Sequence, residues 1–163
     1  MVNRRDLLSV TLQVTDDINI SASGDVAVKT PGDVVMRAKD DLRIAEGSRS
    51  ALDLWGIDAG GRMRLAAGGA ITALASVQRA WLLRSGGDMS LLADGSSEDS
   101  TLAGRIAMAD GSALRIEIGE QGEPKPTTGF MPGVLNLSAA GLVNVQEQTG
   151  DLWLATVASS GEG

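Results

Sequence analysis

The sequence predicts an all-β fold in which short strands stack as an octad-repeat β-helix or solenoid. Three features of residues 16–45 support this prediction. An aspartate recurs every eight residues, two apolar residues two positions apart follow it, and turn-forming residues separate the units. The aspartates are Asp17, Asp25, Asp33 and Asp41. The apolar pairs are Ile18/Ile20, Val26/Val28, Val34/Met36 and Leu42/Ile44.

Each octad is predicted to be a strand followed by a corner. Apolar residues two positions apart follow the period of a strand, whereas a helix needs them at i, i+3, i+4 and i+7. Valine and isoleucine also favour strands, because branching at Cβ restricts their rotamers. A strand of about five residues spans roughly 16 Å, which leaves only a corner between strands. Each octad therefore forms one side of a prism, and stacked octads must cover its apolar face.

The corner residues are aspartates in the first block and, later, glycine pairs that begin at positions 60, 68 and 86. Aspartates suit the Asx-type hydrogen bonds of tight turns. A calcium site needs several oxygen ligands in one loop, and each strand entrance supplies one such aspartate. The glycine pairs lack the Gly-Lys-Ser/Thr sequence and the helix of a phosphate-binding loop. The corners are predicted to be turns without metal, cofactor or catalytic residues.

The composition narrows the possible functions. Only 2% of the residues are aromatic although 43% are hydrophobic, which predicts a thin aliphatic interior. The net charge of −7 argues against nucleic acid as a partner. No segment approaches the roughly 20 apolar residues of a membrane-spanning helix. The chain has no cysteine, histidine or tyrosine, so it lacks the commonest general base and zinc ligand. We therefore predict a protein that is not an enzyme.

The chain divides into five segments. Residues 1–15 are predicted to be an N-terminal docking strand, in which Arg4 and Arg5 lie either at a protein interface or on a solvated terminus. This start does not resemble a signal peptide, so synthesis in the cytoplasm is expected. Residues 16–93 form the octad β-helix, 94–132 an insertion with a β-hairpin around Asp110 and Gly111, and 133–157 a second octad block. Residues 158–163 are predicted to be a flexible tail.

The tryptophans are the candidate contact residues. Trp55 and Trp81 lie where the octad phase is disturbed, and Trp153 lies near the end of the last octad block. A large ring does not fit a narrow prism filled by valine and alanine, so these side chains are expected at corners or on the outside. There they would either contact a partner or cover an irregular corner.

The octads resemble those of the intertwined, triple-stranded β-helices of contractile injection machines. These are the central tail spikes of contractile phages and the valine-glycine repeat spikes of type VI secretion. The matching units are residues 17–24, 25–32, 33–40, 41–48, 60–67, 68–75, 86–93, 133–140 and 141–148. The resemblance implies a homotrimer whose chains wrap round one axis. It also implies a structural role in a virion tail, a baseplate or an assembled injection machine, with other proteins of that machine as partners.

The chain departs from that family in three respects. It has no histidine for the metal-bound tip that these spikes often carry. It has no room for a lysozyme domain or an oligonucleotide-binding barrel in front of the prism. The segment 94–132 has no counterpart that we can match.

Two other functions are compatible with the octads. A single-chain solenoid resembling the bactofilin-type polymers would use three octads, about 24 residues, for each coil and would stack into filaments. A polysaccharide-degrading tail spike would need paired carboxylates about 5 to 9 Å apart and aromatic platforms for sugar rings. Three tryptophans and one phenylalanine provide few such platforms.

Overall fold

A computed structural model of the protein describes residues 10–14, 18–21, 26–45, 55–74, 82–96, 104–119, 133–148 and 152–160. Within these ranges the chain is all-β and contains no helix, which confirms the all-β part of the predicted fold class. In particular, no long apolar helix that could cross a bilayer occurs among these residues. The strands are β1 (Val10–Val14), β2 (Ile18–Ser21), β3 (Val26–Thr30), β4 (Val34–Ala38), β5 (Leu42–Ala45), β6 (Trp55–Ala59), β7 (Met63–Ala67), β8 (Ile71–Leu74), β9 (Leu83–Ser85), β10 (Met89–Ala93), β11 (Ile106–Met108), β12 (Leu114–Ile118), β13 (Leu135–Ala139), β14 (Val145–Glu147) and β15 (Leu154–Ser159).

The strands form three parallel sheets, which are the three sides of a prism. Sheet A has the order β1-β4-β7-β10-β13-β15, sheet B has β11-β8-β5-β2, and sheet C has β14-β12-β9-β6-β3. Consecutive strands as far as β13 lie in different sheets, so the chain passes from A to B to C and returns to A. One circuit of the three sides is one coil of a solenoid.

Each coil closes within the single chain. Val10 pairs with Val34, which is 24 residues and therefore three octads further on. In an intertwined trimer, the strand above each octad would belong to another chain. Here the neighbouring rung comes from the same chain, because β4 hydrogen-bonds directly to β1. The described strands therefore form the single-chain type of coil, and their burial does not require walls shared between chains.

The interior is aliphatic, as the composition predicts. In sheet A, Val34, Met63, Met89 and Leu135 follow one another in register, and each is at most 1% exposed. Burying one such side chain contributes roughly 1.5–3 kcal/mol, so the stacked columns provide the main stabilisation. The largest fully buried side chains are Met36, Leu42, Ile57, Met63, Leu65, Ile71, Leu83, Met89, Leu91, Ile106, Leu114 and Ile116.

Later coils differ in length without disturbing the sheets. Successive register partners in sheet A are separated by 29 residues (Val34 and Met63), 26 (Met63 and Met89), 46 (Met89 and Leu135) and 19 (Leu135 and Leu154). The paired strands remain parallel and in step, with one irregularity between Leu135 and Asn136. The described strands of sheet A therefore keep their stacking although the coils differ in length.

The structure does not show the hairpin predicted around Asp110 and Gly111. Strand β11 pairs with β8 in sheet B, whereas β12 pairs with β9 and β14 in sheet C. Ile106 and Leu114 are eight residues apart, so both strands continue the octad phase and contribute to the same interior. The turn is a corner in which Gly111 has φ 85° and Met108 N donates to Ser112 O at 2.9 Å.

The predicted insertion at 94–132 thus contributes two rungs to the solenoid. The chain segments 97–103 and 120–132 lie outside the described residues, and they connect β10 to β11 and β12 to β13. The strand expected within residues 1–15 is β1, the first rung of sheet A. Strand β15 extends to Ser159 and so enters the segment 158–163, for which the sequence predicts a flexible tail.

The fifth coil is short because it takes a direct path across one corner. Val143 forms a parallel bridge to Ile106 and is the only rung of that coil on the side of sheet B. Strand β14 begins at Val145, with Asn144 alone between them. The Asn144 Nδ2 atom donates to Gly111 O of the coil below at 2.9 Å. This hydrogen bond attaches the shortened path to the longer corner beneath it.

Candidate interaction surface

The corner aspartates join one coil to the next. Asp41 Oδ1 accepts a hydrogen bond from Ala70 N at 2.8 Å, and Asp33 Oδ1 accepts one from Arg62 N at 2.7 Å. Both partners are 29 residues further along the chain. The sequence predicts hydrogen bonds within the turns, whereas these two carboxylates bind the corner of the following coil. These bonds give the aspartates a structural role.

The outer face of sheet C carries alternating charges that pair along the sheet. Lys29 Nζ lies 3.5 Å from Asp58 Oδ2, and Arg84 Nε lies 3.5 Å from Glu117 Oε1. The strands place the four residues in successive register, from β3 to β12. Because opposite charges alternate, this face largely neutralises itself.

The outer face of sheet A contains a shallow depression of about 620 Å³. Asp33 and Asp88 are the carboxylates that line it. Asp33 binds Arg62 N, and Asp88 Oδ1 accepts from Val134 N at 3.1 Å. Both therefore have structural partners in the next coil, and no aromatic side chain is among the lining residues. This depression lacks the platforms for sugar rings that a polysaccharide-degrading site would need.

The C-terminal end of the solenoid exposes residues that occupy interior positions. Leu154 is in register with the buried Leu135, and Val157 with the buried Leu137. Leu154 is nevertheless 55% exposed and Val157 52% exposed, because no described strand pairs with the outer edge of β15. The neighbouring Trp153 is 47% exposed. We call Trp153, Leu154 and Val157 the C-terminal patch.

The N-terminal end of the same sheet has the same character. Leu12 of β1 is in register with Met36, yet Leu12 is 40% exposed while Met36 is 2% exposed. Strand β1 is the other edge of sheet A among the described residues. Neither β1 nor β15 contains a charged residue, although charged side chains are a common protection of edge strands against pairing.

The structure places the predicted contact residues as follows. Trp153 lies at the C-terminal end, where its carbonyl oxygen accepts from Leu135 N at 2.8 Å. Trp55 begins β6, but its side chain lies outside the description, as do Trp81, Arg4 and Arg5 entirely. Leu154 and Val157 were not singled out from the sequence. The available signal was their position in the last strand-like stretch of the sequence, after the octads.

The described residues contain no group of three or more acidic side chains placed to hold a metal ion. Comparisons with protein-family profiles, curated proteins and solved structures found no match for this chain.

Proposed function

We propose that the protein is a non-catalytic structural rod in a multi-protein assembly. The setting that we propose is a phage tail, a baseplate or a related contractile injection machine. The observation that carries the proposal is the stack of six parallel strands in sheet A, with a buried aliphatic interior on one side. Inter-coil bonds of the corner aspartates reinforce this stack. Such a column resists bending, because bending would stretch backbone hydrogen bonds along one side.

The dimensions fit a short segment of a larger object. Sheet A contains six strands, so its first and last rungs are about 24 Å apart at roughly 4.8 Å per strand. A rod of this length would act as a spacer or as one section of a spike or fibre. The octad resemblance implies a homotrimer intertwined round one axis, but the described coils close within one chain, so we do not include that arrangement in the proposal.

A filament-forming protein is the second candidate. The observation that favours it is the coil of 24 residues between Val10 and Val34, which is the coil length of a single-chain solenoid. In this case the rods would join end to end and would need no other protein. The two candidates differ in partners, since the first requires a larger particle and the second only more copies of this chain.

Mass spectrometry of particle fractions tests the first candidate. Lysates of the source cells are separated by density gradient, and the protein is quantified in fractions that contain tail-like particles. We expect co-sedimentation with those particles at a fixed ratio to their other proteins. Recovery only in the slowly sedimenting fractions would reject the proposal that the protein is a component of such a particle, whether catalytic or structural. Release of reducing sugars from bacterial polysaccharide by the purified protein would reject the non-catalytic role.

A further inference from the structure

We propose that the two ends of the solenoid are complementary and that a second copy of this chain docks head to tail on the C-terminal patch. In this joint the second copy is rotated by one side of the prism, so that its β3 pairs with β15. The inference rests on the proposed structural role and adds to it the partner and the contact strands.

The path of the chain determines the rotation. Successive strands pass from sheet A to B to C, and β15 is an extra rung on sheet A. The next position along the path is therefore on side B, above Val143, which bridges Ile106. A second copy that begins there places its β1 on side B, its β2 above β14 and its β3 above β15. Without the rotation, its β1 would occupy side A, and sides B and C would each lack one rung.

Backbone hydrogen bonding makes the two ends compatible. In parallel sheets every rung directs N–H and C=O groups toward the rung above and the rung below. Among the described residues, no strand pairs with the outer edge of β15 at the C-terminal end. At the N-terminal end, no described strand pairs with the outer edges of β1, β2 and β3. Since all described pairs are parallel, a second copy with the same polarity completes the ladder. Two copies meeting with like ends would be antiparallel to each other.

Apolar burial favours the same occupant. Leu154 and Val157 are in register with interior positions and are more than half exposed. A further coil on top would cover them as β13 covers the residues of β10, where Met89 and Leu91 are at most 1% exposed. Leu12 at the opposite end is also exposed and would be buried in the same way. A contact between the C-terminal end of one copy and the N-terminal end of another buries both apolar surfaces, because each copy contributes one end.

Capping variants test the joint. Val157→Lys places a charge on the C-terminal end, and Leu12→Lys places one on the N-terminal end. Thr156→Lys and Thr11→Lys are matched controls, since their register partners Asn136 and Val35 lie between the buried interior positions. All variants are checked for wild-type circular dichroism and melting. Masses are measured by sedimentation velocity over a range of concentrations.

We expect the wild-type protein and both controls to grow in mass with concentration and without a fixed stoichiometry. Each capped variant alone is expected to be monomeric. An equimolar mixture of the two capped variants should form a dimer and stop there, because one free C-terminal end meets one free N-terminal end. A monomeric wild type, or a mixture of capped variants that stays monomeric, would overturn the joint. So would a closed wild-type trimer that neither charge disturbs.

Cross-linking tests the rotation. The chain contains no cysteine, so single substitutions give unambiguous products with a short bismaleimide. We expect Thr156→Cys to cross-link efficiently to Lys29→Cys, which lies on β3, and poorly to Thr11→Cys, which lies on β1. The reverse preference would overturn the rotated joint.

These outcomes are separate from the test of the proposed function. Co-sedimentation with tail-like particles, combined with a monomeric purified protein, would reject the joint and leave the structural role intact. Head-to-tail growth of the purified protein without any particle association would reject the injection-machine setting and leave the joint intact.

Discussion

Asp41 and Ala70 lie 29 residues apart, and the Asp41 Oδ1 atom accepts the Ala70 backbone N–H at 2.8 Å. Asp41 is 3% exposed and Ala70 is fully buried. The other carboxylate oxygen of Asp41 contacts the Arg43 guanidinium. One carboxylate therefore links two coils at a buried corner, where water cannot replace it.

Removal of this carboxylate should destabilise the protein. We expect Asp41→Ala to lower the free energy of unfolding by about 1–3 kcal/mol, because the buried Ala70 N–H loses its acceptor. Asp41→Asn keeps an oxygen and should lose less. The control is Asp88→Ala, which removes a similar bond to Val134 N at an exposed corner. Urea unfolding measures all three variants. Equal losses for Asp41→Ala and Asp88→Ala would contradict the importance of burial.

Adjacent glycines at one corner should differ in their tolerance of alanine. A Cβ atom on Gly86 would overlap the carbonyl oxygen of Gly60 in the coil below. A Cβ atom on Gly87 would have as its nearest neighbour Arg62 Cγ at 3.3 Å, an atom of a flexible side chain. We expect Gly86→Ala to cost about 1–3 kcal/mol and Gly87→Ala much less. Thermal unfolding compares the two, and the opposite order would contradict the close stacking of these corners.

Adjacent leucines on β10 should separate the interior from the outer face. Leu91 is 1% exposed and Leu92 is 39% exposed. Leu91→Ala should lower the free energy of unfolding by about 2–5 kcal/mol, since it removes buried methyl groups and leaves a cavity. Leu92→Ala should change it by about 0.5 kcal/mol or less, as is usual for surface substitutions. If urea unfolding gives similar losses of unfolding free energy for the two variants, the two side chains have similar environments. That result would contradict the placement of Leu91 inside the solenoid and Leu92 on its outer face.

The Asp110 corner should show a pH-dependent contribution. The Ser112 hydroxyl donates to Asp110 Oδ1 at 2.6 Å, and Ser112 N donates to the same atom at 2.9 Å. The hydroxyl bond, followed by the backbone bond, lowers the pKa of Asp110 below its ordinary value. A lowered pKa means that the stabilisation is present above the unfolded-state pKa and disappears as the pH falls through the folded-state pKa.

Ser112→Ala should therefore raise the pKa of Asp110 toward the ordinary value. An NMR titration of the Asp110 carboxyl carbon measures this change. Ser90→Ala on the face of sheet A serves as the control and should leave the Asp110 pKa unchanged. If the Asp110 pKa is the same in Ser112→Ala, the Ser112 hydroxyl is not the main cause of the lowered pKa.

Part of this fold could be predicted before any coordinates. The spacing of Val34 and Met36, repeated at eight-residue intervals, correctly predicts short strands with these side chains inside. The hairpin prediction failed because Asp110-Gly111 is also a common hairpin turn. The octad relation between Ile106 and Leu114 was the stronger signal, since it predicts consecutive sides of one prism.

The sequence by itself determined the strand period, the inward positions and the aliphatic character of the interior, because these depend on local spacing and side-chain size. Only the tertiary structure decided which strand lies above each rung, since an octad presents the same two apolar residues to its own chain and to a neighbouring one. The tertiary structure likewise decided that Asp41 binds Ala70 and that Leu154 and Val157 are exposed. These relationships join residues from different coils, so no local pattern records them.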